Sequence, residues 1–335
     1  MNEFAESVRW GFPTLIHFFL AGVGGGTLII SSVSLILNRR RGNLFSVARY
    51  AALIAPVVIL DDAFVLILEL GRPSRFLNIF RHVNFQSPLW IGSWLMLIFL
   101  VISILYAYTY LALPNKPGRA REMMKKFGVQ EQPAPGDRWS RLRWVMAIIG
   151  LPLGIGVCHY PGFMMSGLAA RPLWSTSILP TLTLLSGIVT GLAVVLLCRV
   201  MFRNKKDQGE RQEYRENNYL LAMAIVIILL AEFFVLMQII IFATNTDSSL
   251  RHVIGQLFMS GGLMEMEFWV GVVGIGFLIP LVAGFTIIAP KLIASKDYQG
   301  PRIIEALMSV AVLFGASMLI YILLFGGQLT GPVGI

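Results

Sequence analysis

Charge is what this sequence has least of. Asp, Glu, Lys and Arg make up 13% of its 335 residues, against about 25% in a soluble domain. Cysteine is scarce too: Cys158 and Cys198 stand alone, far apart, with no CxxC pair. An iron–sulfur cluster takes about four thiolates and a c-type haem needs a CxxCH motif, so neither is expected here. No glycine-rich loop joins a strand to a helix, because AGVGGG (21–26) lies inside an apolar run; a nucleotide-binding P-loop is excluded. No segment alternates apolar and polar residues strictly enough for a membrane β-barrel.

What is there is hydrophobicity, 56% of residues with mean hydropathy +0.73. A hydrocarbon layer of about 30 Å needs roughly 20 apolar residues per helix. Eight runs qualify: 14–37, 51–70, 89–111, 145–168, 178–202, 219–243, 268–290 and 303–325. The fold class is therefore all-α, a polytopic membrane protein of about eight transmembrane helices, since only helices satisfy their own backbone in lipid. The first run follows acidic Glu3 and Glu6 and is too long for a signal peptide. The Pro-, Gly- and charge-rich stretch 116–143 reads as a linker. It divides the protein into a first helix group (1–115, three spans) and a second (144–335, five spans), two bundles in all.

Of the 27 Lys and Arg, 21 fall on one set of loops and 6 on the other. The positive-inside rule puts the richer set in the cytoplasm and both termini outside. Basic loops beside anionic lipid account for the net charge of +9 without any nucleic acid. The outward loops, such as 69–94 and 244–269, carry Gly, Pro, Trp and Arg. They suit either aromatic anchoring at the interface or docking of an extracytoplasmic partner.

Small residues recur four apart, as Gly22/Gly26, Gly150/Gly154 and Gly187/Gly191. They read first as close helix packing, which would also leave a slot for a flat ligand beside Gly22. Two histidines are intramembrane. His17 lies about 5 Å and His159 about 10 Å below the outer boundary at 1.5 Å per residue. The pair suits axial ligation of a b-type haem. Alternatively, one histidine and Tyr160 suit hydrogen bonds to the two oxygens of a quinone, or each is an interhelical bond. Carboxylates at bilayer depth cost about 2.5–3.5 kcal/mol even on the lenient scale, so Asp61, Asp62, Glu69 and Glu232 are candidates for proton transfer. Asp62 and Glu69 share a helix face about 10 Å apart. The Asp61–Asp62 doublet is expected to hold at least one proton.

The motifs FFLAGVGGGTLI, ELGRPSRF, SPLWIGSW, YPGFMMSGLAARPLWSTSILPTLTLLSGIVTGLA, FWVGVVGIGFLIPL and FGGQLTG follow one another along the sequence. In that order the protein resembles the NrfD/polysulfide reductase membrane-subunit family. The resemblance implies an eight-helix subunit of the bacterial cytoplasmic (inner) membrane that binds a quinone, menaquinone or ubiquinone, with no haem or iron–sulfur cluster of its own. It implies an extracytoplasmic ferredoxin-like iron–sulfur subunit and a catalytic subunit, molybdopterin or multihaem, as partners. It also points to His17 and Tyr160 as quinone contacts. The family's Asp-Leu-Gly-Arg-Pro stands here as Glu69-Leu70-Gly71-Arg72-Pro73. Arg72 is then placed to stabilise a reduced, anionic quinone or to pair with Glu69. The function implied is a quinone-handling membrane anchor of a respiratory oxidoreductase. The alternatives are a proton-coupled secondary transporter and a di-histidine haem b anchor.

Overall fold

A computed structural model describes residues 10–69, 78–81, 83–111, 139–168, 171–202, 208–245, 248–294, 298 and 300–329. Among these residues every regular element is helical. Eight helices are long and apolar enough to cross a membrane, as the hydropathy leads one to expect. They are α1 Phe12–Arg41, α2 Phe45–Glu69, α3 Pro88–Leu111, α4 Ser140–Ser166, α5 Leu179–Met201 and α6 Gln208–Asn245, with α7 Glu267–Ala294 and α8 Arg302–Leu329. Short helices Asn78–Arg81 and Ser248–Phe258 lie in connections. Residues 116–138 of the expected 116–143 linker lie outside the described residues, and its last residues open α4.

Several ends depart from the hydropathic pattern. The sixth apolar run starts at 219, but the helix begins at Gln208, because GERQEYRENN is polar yet made largely of good helix formers. α1 ends where Gly42 takes φ 77° and its N–H reaches Asn38 O at 2.7 Å. That left-handed cap favours glycine. The Asn38 side-chain oxygen then accepts the Leu44 N–H at 2.7 Å and turns the backbone into α2. The first half of α7, Glu267–Leu278, is wound as a π-helix, which hydropathy does not reveal.

α1 is the most enclosed span and α3 the least. α1 packs on α2, α4, α5 and α8, and α7 pairs with α8. Glycine makes the central contact possible. A Cβ on Gly26 would collide with the Gly187 carbonyl, and one on Gly191 with the Gly26 backbone. α1 and α5 therefore touch backbone to backbone, the packing that spaced small residues permit. Gly154 of α4 meets Gly25 O in the same way. One end of the bundle gathers the arginine-rich helix ends and the other is poor in charge.

Candidate functional site

A short, fully buried polar contact between spans lies toward the charge-poor end. His17 of α1 and Asp62 of α2 are 3% and 2% exposed, and His17 Nδ1 sits 2.6 Å from Asp62 Oδ1. That is the length of a charge-assisted hydrogen bond, worth more than a neutral one. In the ionised pair the imidazole N–H donates to the carboxylate. With Nδ1 so engaged, Nε2 is the nitrogen left for a ligand.

Tyr160 of α4 completes the group. Its ring stands edge-on to His17, centroids 6.1 Å apart and planes at 72°. It is buried and fills the space over Gly92 of α3, where any Cβ would overlap the phenol. The glycine of SPLWIGSW thus gives Tyr160 its place. Phe18 lies beside His17, and Trp10 packs edge-on to Phe18.

The other candidate residues divide. Asp61 is exposed on the outside of α2 with Phe64 and Leu68. Adjacent helical residues point about 100° apart, so only one of the doublet can enter the bundle. His159 faces away from His17: its Nδ1 lies 2.9 Å from Ile155 O of its own helix, and its ring stacks on Phe163, which is largely exposed. The structure does not bring the two histidines together. Gly22 does line a slot, with Phe18, Cys158, Ser186, Gly187 and Thr190, but the cavity is about 10 Å³. That is room for about one water, so the slot beside Gly22 is narrow as the helices pack here. Glu232 of α6 is buried beside Ser186 of α5, on the far side of that slot. Glu69 ends α2, with its side chain outside the described residues, as is the whole of Arg72.

Two further polar groups escape the sequence pattern. Toward the basic end, Arg199 of α5 donates from Nε to Asn218 Oδ1 at 3.0 Å and from Nη1 to Ser46 Oγ at 2.7 Å. Asn218 Nδ2 donates to both Glu305 oxygens at 3.2 Å, and the Tyr298 hydroxyl donates to Glu305 Oε1 at 2.8 Å. This network ties α2, α5, α6 and α8 together. Burial first, then the Glu305 carboxylate, pushes the Tyr298 phenol far above its ordinary range. At the charge-poor end, Arg171 Nη1 donates to the Gly327 and Gln328 carbonyls at 2.7 and 3.0 Å. Gln328 accepts from Trp10 N–H at 2.8 Å and donates to Trp10 O at 3.1 Å. Burial lowers the Arg171 pKa. The one signal in the sequence is an asparagine doublet, Asn217–Asn218, opening an apolar run.

The donor set of His17, Asp62 and Tyr160 suits a ligand with two ring oxygens that take up and release protons. The protein is 30% identical to the C chain of polysulfide reductase from Wolinella succinogenes, over 96% of its own length and 95% of that relative. It is 26% identical to the NrfD protein of Escherichia coli over 97% and 96%. It is 22% identical to the C subunit of selenate reductase from Mesobacillus selenatarsenatis over 84% and 68%. The family described as Polysulphide reductase, NrfD matches residues 1–332. With eight membrane-length helices and a match running from one end to the other, this multi-pass membrane protein belongs to the NrfD family.

Proposed function

We propose that the protein is the quinone-handling membrane subunit of a respiratory reductase complex in the bacterial cytoplasmic membrane. It exchanges electrons between the quinone pool and an extracytoplasmic iron–sulfur subunit, which serves a catalytic subunit. Relatives named as parts of reductases support the anchor role. The single observation that carries the quinone reading is the buried 2.6 Å His17–Asp62 pair facing Tyr160. The basic end is cytoplasmic by the positive-inside rule, so this group lies toward the extracytoplasmic side, where the iron–sulfur partner docks. Exposed Phe85 and Trp94, with Trp90 and Phe80 packed on them edge-on, flank the same end.

A bound quinone supplies two-electron, two-proton chemistry. His17 Nε2 and the Tyr160 hydroxyl hold its two oxygens. Asp62 fixes the His17 ring through Nδ1 and carries the balancing charge when the ring is protonated. The slot by Gly22 is narrow, and the ring docks at the charge-poor rim beside His17 and Tyr160. Glu69 closes α2 at that rim, and Arg72 follows it in sequence. Glu232 is a second carboxyl for proton movement across the bundle.

Replacing His17 with Ala in the assembled complex tests this. Removing a positioned proton-transfer group costs about 10²–10⁴-fold in rate, so quinol-linked turnover should fall by at least about 100-fold while the partners still co-purify. Tyr160→Phe should fall by about tenfold, the value of one hydrogen bond to the reacting molecule. Full turnover in both variants refutes the site. The haem alternative loses its geometric basis, since His159 turns away from His17.

A further inference from the structure

Beyond the quinone site, a cavity of about 360 Å³ opens at the basic end between the end of α1 and the starts of α2 and α4. Its walls include Asn38, Arg39, Phe45, Arg141, Arg143 and Trp144, with no carboxylate among the described lining residues. Three guanidinium groups therefore border one space. Arg143 is buried, held between aromatic faces 5.4 Å from the Phe45 ring and 5.3 Å from the Tyr110 ring. Arg39 lies over Trp144 at 5.1 Å, which ties α1 to α4, and both Arg39 and Arg141 are exposed. Aromatic faces orient a guanidinium, and exposed Arg39 and Arg141 give the cavity a positive rim.

We propose that this cavity binds a phosphate group, carried by the head of an anionic phospholipid in the adjoining leaflet. Guanidinium forks match phosphate oxygens, and basic pockets between membrane helices at the cytoplasmic side are built for such heads. The same two helices present exposed apolar side chains just inside the membrane from this end, Val33 and Leu37 on α1 and Val145 and Ile148 on α4. Acyl tails pack there while the head occupies the cavity. The lipid then bridges α1 and α4, whose contact also positions His17 and Tyr160.

Native mass spectrometry of the purified full-length protein tests the assignment, with diphosphatidylglycerol, phosphatidylglycerol, phosphatidylcholine and inorganic phosphate added in turn. The wild type should retain either anionic lipid through delipidation and lose phosphatidylcholine. One Lys or Arg near an anionic surface contributes about fivefold in affinity, so Arg39→Gln with Arg141→Gln should weaken retention about 30-fold. Both side chains are exposed, so the fold should survive. The matched pair Arg215→Gln with Arg302→Gln, also exposed at this end, should leave retention unchanged. Equal loss in both double variants, or retention of phosphatidylcholine, overturns the site. Millimolar inorganic phosphate displacing the lipid at equal concentration overturns the lipid source and identifies a soluble phosphate instead.

Discussion

Replacing His17 and Asp62 with leucine, singly and together, separates what the pair does for folding from what it does for electron transfer. The two side chains are almost wholly enclosed and 2.6 Å apart. Removing either one strands the other in an apolar bundle, which costs about 3–5 kcal/mol for a buried ion pair. Replacing both with apolar side chains of similar volume strands nothing and is often neutral or stabilising. If each single change costs about 3 kcal/mol and the double change about 1, the interaction energy is about −5 kcal/mol. The assay is reversible unfolding of the purified protein in mixed micelles, followed by tryptophan fluorescence. An interaction energy smaller in size than about 1 kcal/mol refutes the contact. Turnover provides the second readout. The double variant should recover stability and stay inactive with quinol, because leucine neither binds a ring oxygen nor moves a proton. A double variant that regained turnover would leave the pair a purely structural element and remove the basis for the proposed site.

Other consequences follow from the same geometry. Asp61→Asn changes an exposed side chain and should lower turnover less than about twofold, whereas Asp62→Asn should lower it by about 100-fold or more; steady-state quinol oxidation distinguishes them. Gly26→Ala should cost about 1–3 kcal/mol or more of stability, since its new Cβ meets the Gly187 carbonyl and neither backbone can rotate away; the micelle unfolding assay reads it. Tyr298 has its folded pKa raised, so the unfolded state loses that proton first. Stability is therefore intact below about pH 10 and falls as pH rises above it, by up to about 1.4 kcal/mol per unit for this one group. Tyr298→Phe should reduce that alkaline slope by one proton, at the cost of the hydrogen bond to Glu305, as unfolding curves between about pH 9 and 11 would show. Gln328→Ala removes both bonds to Trp10 and should speed hydrogen exchange at the end of α8 without altering quinol turnover.

The bundle was legible because membrane helices announce themselves by length and apolarity. Their facing was not. An amphipathic period tells inside from outside only when one side meets water. In α2, apolar Ile59 is buried while equally apolar Val57 and Leu60 are exposed, so nothing in the pattern says whether Asp61 or Asp62 points inward. Spacing within one helix pairs Asp62 with Glu69. The actual partner, His17, comes from α1, and spacing within α2 carries no sign of it. The glycines were readable as packing residues, and the packing they produce leaves a narrow slot beside Gly22.

Charge misled in an instructive way. Arg143 and Arg199 count toward the basic side, and they do lie there, but both are buried. Arg199 holds Asn218 and Ser46, and Arg143 rests between two rings at a cavity wall. Arg199 is thus a structural cation of the folded bundle, and its removal strands Asn218 and the polar network around it. Neutralising Arg199 should destabilise the folded bundle far more than neutralising exposed Arg302, although the two weigh equally in a count of loop charges. That separation of roles follows from burial alone, and a count of loop charges gives no sign of which arginines the fold depends on.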